Sequence, residues 1–185
     1  MKVVFCLLLS LGLITGAFAQ EKPLPASKIM DEAYARAAKE NKKVFVIFHA
    51  SWCGWCHRMD SLMKMPETKA FFDNNFVITH LVVGETGAKK YLDNPGAAEM
   101  VKKYNGDKLG IPYWLIFNDK GKLLADSRMP TTDKKTGKEI KANVGCPANP
   151  DEVDFFVKLL KKTTSLKKAE LKVIADKFTI KQVAH

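Results

Sequence analysis

The sequence has few cysteines, and its prolines and glycines follow no repeat. Its 185 residues include 4 Cys, 8 Pro and 11 Gly. So few cysteines exclude a small scaffold stapled by disulfides, and scattered proline and glycine exclude collagen-like and low-complexity chains. Because 46% of the residues are hydrophobic and 27% are charged, an intrinsically disordered chain is excluded as well. The length fits one ordinary domain with its own core.

Long apolar runs are absent after the first twenty residues. Residues 3–18 are almost wholly apolar behind a basic start at Lys2, and Ala17-Phe18-Ala19 fits the small-residue pattern of a signal peptidase site. An apolar run of about 16 residues is shorter than the ~20 that span a bilayer, which disfavours a membrane anchor. We therefore expect a signal peptide over residues 1–19 with cleavage near Ala19. The mature chain, without a membrane span, would be periplasmic or secreted.

The chain is basic, with 30 Lys and Arg against 20 Asp and Glu, a formal net charge of +10. Its lysines occur as short pairs spread along the whole sequence, whereas a nucleic-acid interface needs clustered positive charge with exposed aromatic residues. The sequence therefore predicts no nucleic-acid partner. Attraction to acidic partner surfaces remains as an effect on association rate.

Hydrophobic periodicity and turn residues predict alternating helices and strands. Asn94-Pro95 and Asn149-Pro150 each combine a capping side chain with proline at the first helical position. The predicted helices cover 27–41 (capped by Ser27), 57–65, 67–74, 94–106, a stretch starting at 149, and 165–177. The predicted strands cover 44–48, 76–83, 113–117 and 122–126, and the stretch from there to residue 149 is a long loop. This order predicts an α/β sandwich around a mixed sheet of about four strands.

Three cysteines remain once the signal peptide with Cys6 is removed. Cys53 and Cys56 form a CxxC pair, and Cys146 stands alone. An odd number is wrong for a structural disulfide framework, so the pattern indicates chemistry at the pair. Cys146 is expected to be a partly buried free thiol, with an intermolecular disulfide or a second redox step with Cys56 as the open alternatives.

The CxxC pair lies where a buried strand ends and a helix begins. A sulfur at a helix N-terminus meets unpaired N–H groups and the positive end of the helix dipole, which favour the thiolate. Cys53 is expected to be nearer to solvent and to attack, while Cys56 lies one turn deeper and closes the intramolecular disulfide. Gly54 lets the backbone turn into the helix.

Two separated segments resemble the thioredoxin superfamily. Residues 45–56, ending in Trp52-Cys53-Gly54-Trp55-Cys56, look like its strand-to-active-site segment. Gly110-Ile111-Pro112, followed by a strand and a Gly121 hairpin, looks like its cis-proline element. Residues 56–83 are most similar to exported thioredoxin-like domains, such as the C-terminal domain of the periplasmic disulfide-interchange reductase. The resemblance covers residues 27–162.

This resemblance implies a thioredoxin-like three-layer sandwich and a binding edge beside the cysteines. Pro112 would be cis, with the Ile111 backbone beside Cys53 so that an extended substrate pairs with it. Trp52 and Trp55 would form an apolar rim for a partner. The alternatives are an ordinary trans-proline and two tryptophans that pack inside. The implied organisation is a signal peptide (1–19), a linker (20–26), a thioredoxin-like domain (27–162) and a C-terminal helical extension (163–185).

Two positions depart from the thioredoxin pattern. Ile47 stands where thioredoxins carry a buried Asp, and His80 stands where the facing lysine is usual. The carboxylate that would accept a proton in the resolving step is therefore absent. His49 is the leading candidate to replace it, because a neutral imidazole accepts a proton near working pH, and His57 and His80 are weaker candidates. The alternative is a structural role for each of them: packing in the sheet for His49 and His80, and an exposed helix position for His57.

These observations predict a thiol–disulfide oxidoreductase that exchanges electrons with protein disulfides and with a thiol donor of unknown identity. It would use the Cys53–Cys56 disulfide and no other cofactor or metal, and the resemblance favours a reductase over an oxidase or isomerase. One alternative is a c-type haem protein, because Cys53, Cys56 and His57 also spell the CxxCH attachment motif. Another is a non-catalytic thioredoxin-like binding module. A zinc site is disfavoured, since no second ligand pair occurs at structural spacing.

Overall fold

Four strands form the central sheet of the protein, and a separate two-stranded sheet follows them in the chain. The computed structural model describes residues 22–180, so the expected signal peptide lies outside the described residues. The elements in chain order are α1 (Ala26–Glu40), β1 (Lys43–His49), α2 (Gly54–Lys64), α3 (Lys69–Asn75), β2 (Phe76–Val82), a 3₁₀ helix (Gly87–Leu92), α4 (Ala97–Lys103), β3 (Tyr113–Phe117), β4 (Leu123–Asp126), β5 (Arg128–Thr132), β6 (Glu139–Asn143), α5 (Pro150–Thr163) and α6 (Lys168–Phe178).

The central sheet has the strand order β2-β1-β3-β4. Strands β1 and β2 are parallel, while β3 is antiparallel to both β1 and β4. The continuous apolar runs of β1 and β3 occupy the two inner positions, where both faces of a strand are covered. The predicted mixed α/β sheet of four strands is confirmed.

Helices cover both faces of this sheet, which makes three layers. Side chains of β1 alternate between the two cores, as the period of a strand requires. Phe45 and Ile47 face the helices α2, α3, α5 and α6, whereas Val44 and Val46 face α1 and α4. The last helix belongs to the first of these cores, because Phe178 is fully buried there. Burying a side chain of this size contributes about 2–3 kcal/mol.

Two predicted helix starts are wrong because tertiary hydrogen bonds replace the local caps. Helix α1 begins at Ala26 rather than Ser27, and the Ala26 N–H donates to the Pro95 carbonyl at 2.8 Å. Helix α4 begins at Ala97, because the Asn94 side chain accepts a hydrogen bond from the Val82 N–H at 2.7 Å instead of capping the helix. The Asn149 start is confirmed, with Pro150 first in α5 and a full capping box.

The hairpin β5–β6 replaces part of the predicted loop. Its residues are mostly half-buried or exposed and strongly charged, and Pro130 interrupts the first strand, so the alternation typical of strands is missing. Its turn forms around the Asp133 carboxylate, which accepts hydrogen bonds from the backbone of Lys135 and Thr136. The hairpin leads back to the central sheet at Ser127 and Val144, whose backbones are hydrogen bonded at 2.8 Å.

Candidate redox site

Cys53 and Cys56 are joined by a disulfide at the N-terminus of α2. Their Cα atoms lie 5.3 Å apart, and Cys53 is the N-cap residue of the helix. The Cys53 sulfur accepts a hydrogen bond from the Cys56 N–H at 3.2 Å. Helix α2 starts at Gly54, three residues before the predicted start, so both cysteines belong to its first turn. The sulfur of Cys53 therefore meets the free N–H groups of a helix terminus.

The two cysteines are equally buried in this disulfide form. Each exposes 3% of its surface, so the expectation that Cys53 lies nearer to solvent than Cys56 is wrong for the oxidised pair. Both pack against Ala50 and Ile111, which cover the sulfur atoms. The position of Cys53 at the start of the helix does not determine how exposed the residue is, because the loop at Ile111, distant in the sequence, packs against it.

Trp52 and Trp55 lie on the surface on either side of the disulfide. They expose 57% and 51% of their surfaces, so packing in the interior does not explain them. The Trp52 indole N–H donates to the Gly84 carbonyl at 2.9 Å, and the Arg58 guanidinium lies 5.6 Å from the centre of the Trp55 ring. These contacts fix two large apolar surfaces beside the cysteines, as a rim for a partner requires.

The Ile111–Pro112 loop lies against the disulfide. Its peptide bond is cis, and the Ile111 carbonyl oxygen lies 3.7 Å from the Cys53 sulfur. Grooves flank the loop on both sides, one toward Trp52 and Val83 and one toward Trp55 and Asn143. The backbone of Ile111 is thus within reach of any chain that contacts Cys53.

A buried carboxylate holds the segment that precedes the cysteines. Glu85 exposes 5% of its surface and accepts hydrogen bonds from the Ser51 N–H at 2.6 Å and the Ser51 hydroxyl at 3.0 Å. On its other side the Ser51 carbonyl accepts a hydrogen bond from the His57 ring at 2.9 Å. Sequence reasoning missed Ser51 and Glu85, because they are 34 residues apart and no local motif joins them.

Comparison with known proteins identifies the family. A family model described as thioredoxin-like matches residues 26–118, just over half of the chain. The chain belongs to the thioredoxin-like family. Its match begins at α1 and ends after β3, so it includes the CxxC pair and the Ile111–Pro112 loop. A search of curated proteins finds no match.

Several solved structures resemble this chain at low sequence identity. A disulphide isomerase from Xylella fastidiosa Temecula1 is 21% identical, with a TM-score of 0.45, over 63% of this chain and 80% of that one. A protein titled DsbH Oxidoreductase is 17% identical, with a TM-score of 0.43, over 77% of this chain and 86% of that one. A thioredoxin from Thermus thermophilus is 17% identical, with a TM-score of 0.39, over 76% and 85%.

The departure from the usual thioredoxin pattern produces a histidine pair beneath α2. Ile47 is buried, and His80 lies opposite it in the parallel register of β1 and β2. The rings of His49 and His80 are 5.0 Å apart at a 67° angle, and the His80 ring is 2.7 Å from the Asp60 carboxylate. Asp60 follows Cys56 by one helical turn, on the same side of α2. A titratable cluster therefore lies below the disulfide.

The pKa of His49 is set mainly by burial, and the pKa of Asp60 is lowered mainly by the neighbouring His80. Burial lowers the pKa of His49, and the nearby His80 lowers it further, so the imidazole is neutral at neutral pH. Burial raises the pKa of Asp60, but the hydrogen bond and charge of His80 together with Lys64 bring this pKa below its ordinary value. Asp60 is thus an anion, and His49 has a free lone pair.

Cys146 is a buried free thiol, as predicted. It exposes 4% of its surface and lies 2.9 Å from the Arg58 guanidinium, which also donates to the Pro147 and Phe178 carbonyls. Burial raises the pKa of this thiol despite the neighbouring positive charge. Cys146 is therefore a neutral thiol at neutral pH and not an activated nucleophile.

Within residues 22–180, no group of three or more His, Cys, Asp or Glu side chains is arranged to hold a metal ion. In the same residues, no helix is both long and apolar enough to cross a membrane. The His57 ring, which the haem alternative needs as a ligand, is hydrogen bonded to the Ser51 carbonyl.

Proposed function

We propose that this protein is a thiol–disulfide oxidoreductase of the cell envelope that reduces protein disulfides through Cys53 and Cys56. The observation that carries the proposal is the bonded cysteine pair at the start of α2, with the Ile111 carbonyl 3.7 Å from the Cys53 sulfur. Membership of the thioredoxin-like family supports this chemistry over covalent haem attachment and over a passive binding module.

The reaction has two exchange steps. In the reduced protein, the Cys53 thiolate attacks one sulfur of a substrate disulfide, forms a mixed disulfide and releases the other substrate sulfur as a thiolate. Cys56 then attacks Cys53, which closes the Cys53–Cys56 disulfide and releases the second substrate thiolate. The substrate gains two electrons and the protein loses two. A thiol donor restores the reduced pair by the reverse sequence.

The residues around the two cysteines bind the substrate segment and accept the proton of the resolving thiol. An extended substrate segment pairs with the Ile111 backbone and lies between Trp52 and Trp55, and the absence of a side chain at Gly54 leaves room for this segment beside the cysteines. Nothing lies within 4 Å of the position that a Gly54 Cβ would take. His49 is the proposed acceptor of the Cys56 proton. Its ring lies 5.0 Å from His80, which is bonded to Asp60 one helical turn after Cys56, and burial keeps its imidazole neutral.

The proposal includes the direction of electron transfer, from the protein to its substrates, and the location of the protein in the cell envelope. Ile111 before Pro112 and the resemblance of residues 56–83 to a reductase domain favour reduction of substrates. The apolar segment at 3–18 and the Ala17-Phe18-Ala19 sequence favour export with cleavage near Ala19. An alkylation trap on cells should find Cys53 and Cys56 reduced, and a pair found oxidised would contradict the proposed direction.

Cysteine variants test the chemistry. The purified protein should reduce insulin disulfides with dithiothreitol as the electron source, and Cys53→Ser should abolish this activity. Cys56→Ser should accumulate mixed disulfides with substrate, because the resolving thiol is absent. Cys146→Ser is the matched control and should retain activity. Full insulin reduction by Cys53→Ser would exclude the proposed reaction, and unchanged partner capture by that variant would favour a binding module.

A further inference from the structure

The side chain of Asn143 joins the second sheet to the loop beside the disulfide. Asn143 is the last residue of β6, and its amide nitrogen lies 3.0 Å from the Pro112 carbonyl, 3.1 Å from the Gly110 carbonyl and 3.3 Å from the Leu109 carbonyl. Its amide oxygen accepts a hydrogen bond from the Gly145 N–H at 3.1 Å. An asparagine has two N–H donors and one carbonyl acceptor, so the three carbonyls share the two donors.

This contact fixes the backbone around Ile111. The carbonyls on both sides of Ile111, at Gly110 and Pro112, point to the Asn143 amide, while the Ile111 carbonyl lies by the Cys53 sulfur. Gly110 has a φ of +79°, a flexible position that a side-chain bond can order. Asn143 therefore restrains the loop whose Ile111 carbonyl lies 3.7 Å from the Cys53 sulfur.

Gly145, which is hydrogen bonded to the Asn143 side chain, is itself bonded to the core. The Gly145 carbonyl accepts a hydrogen bond from the buried indole N–H of Trp114 at 2.8 Å. The position of a Cβ on Gly145 would be 3.5 Å from the Pro112 carbonyl oxygen, so the two backbones are in close contact. The bond from the core tryptophan to Gly145 thus supports the position of the Asn143 amide beside residues 109–112.

We propose that Asn143 is a positioning residue for substrate binding, which presents the backbone of residues 109–112 to an extended substrate segment. The proposal rests on the proposed function, since the edge has a use only if a substrate chain reaches Cys53. Hairpin β5–β6 then contributes to substrate binding, because its last residue, Asn143, contacts the loop of residues 109–112. An ordered edge binds a strand more tightly than a mobile one, because less conformational entropy is lost on binding.

The test compares protein and small-molecule substrates. Asn143→Asp has nearly the same shape and keeps the acceptor for Gly145 but cannot donate to the three carbonyls, and Asn143→Ala removes both functions. We expect either variant to lower kcat/KM for insulin disulfides about tenfold through KM, which is the loss of one or two net hydrogen bonds. Reduction of the small disulfide 5,5′-dithiobis(2-nitrobenzoic acid) and the redox potential should not change.

The matched control is Asn118→Ala. Asn118 lies at the other end of β3 and accepts hydrogen bonds from the Lys120 and Lys122 backbone, so its loss removes an asparagine contact from a turn remote from Cys53. It should not change KM for insulin. If the Asn143 variants lose both activities equally, or neither, the positioning role is wrong.

Hydrogen exchange separates this proposal from the proposed function. The backbone N–H groups of residues 109–111 and of Tyr113 should exchange several-fold faster in Asn143→Asp than in the wild-type protein, beginning with the Leu109 N–H that donates to the Gly106 carbonyl, and those of β1 should not. Unchanged exchange in the loop would overturn the proposal whether or not the protein is an enzyme. A wild-type protein that reduces no insulin would instead contradict the proposed function, while the exchange result would still decide whether Asn143 orders the loop.

Discussion

The carboxylate of Glu85 accepts two hydrogen bonds from Ser51, one from the backbone N–H at 2.6 Å and one from the hydroxyl at 3.0 Å. Ser51 precedes the Trp52-Cys53 sequence, and Glu85 lies in the loop after β2, so this pair connects the entrance of the redox site to the edge strand. The Lys89 ammonium group donates to the Ser51 hydroxyl at 3.2 Å and completes the contact.

Removing the Glu85 carboxylate should destabilise the protein. Hydrogen bonds to a charged acceptor contribute about 1.5–3 kcal/mol, and Glu85→Ala leaves the Ser51 N–H without a partner. We expect the free energy of unfolding in urea to fall by about 2–3 kcal/mol. Ser51→Ala removes the hydroxyl with its bonds to Glu85 and Lys89 but keeps the N–H bond to Glu85, and it should cost about 1 kcal/mol. Equal stability of Glu85→Ala and the wild-type protein would show that the pair contributes nothing.

Replacing Gly106 should strain the core between the central sheet and helices α1 and α4. A Cβ at this position would lie 2.7 Å from ring atoms of the buried Tyr113, whose hydroxyl donates to the Tyr104 carbonyl at 2.7 Å. Because the ring is fixed by that bond, Gly106→Ala should lower the free energy of unfolding by about 1–3 kcal/mol. Gly54→Ala is the control, since its added Cβ meets nothing within 4 Å and a helical alanine is favoured over glycine. A stable Gly106→Ala protein would contradict the close contact.

The sequence predicted the core of the fold better than the edges of the site. The apolar runs of β1 and β3 were recognisable because strands covered on both faces contain no polar positions. The cap at Asn149 was recognisable because its partner Glu152 is only three residues away. Asn143 and Glu85 were missed because they meet residues 31 and 34 positions away, and polar side chains carry no periodic pattern.

The burial of Cys53 also could not be predicted from the neighbouring sequence. The position at the start of a helix was correctly predicted, but the Ile111 loop that covers the sulfur comes from 58 residues further along the chain. Hairpin β5–β6 was missed for a related reason: its strands pair with each other and lack a buried face, so their pattern is that of a loop. The burial of Cys53 and the formation of this hairpin depend on tertiary contacts, and no local sequence pattern indicates which residues make them.

Stability should fall as the pH drops below about 6.5, the ordinary pKa of histidine, because of His49. Its pKa is lowered in the folded protein by burial and by His80, so over this range the unfolded chain binds a proton that the folded protein does not. Stability therefore rises with pH in this window. Urea unfolding at pH 7.5 and 5.5 should give a smaller difference for His49→Leu than for the wild-type protein.

The exposed His57 provides the control for this measurement. His57→Gln should keep most of the wild-type pH difference, because burial and His80 lower the pKa of His49 more than His57 does. The same property of His49 should appear in the reaction: the proposed proton transfer from Cys56 slows as His49 becomes protonated. A His49→Leu protein with the wild-type pH profile in both stability and resolution of the mixed disulfide would exclude His49 from both roles.

Cys146 should react more slowly than Cys53 in the reduced protein. Burial raises the pKa of the Cys146 thiol, whereas the Cys53 sulfur accepts a hydrogen bond from the Cys56 N–H at the start of α2, where a thiolate is favoured. After mild reduction, iodoacetamide at pH 7.5 should label Cys53 at least tenfold faster than Cys146 in peptide mass spectra. Denaturation in urea should remove the difference, because it exposes Cys146 and ends the burial that raises its pKa. Rapid labelling of Cys146 in the folded protein would instead identify it as an accessible thiol, which would restore a second redox step with Cys56 as an explanation for its presence.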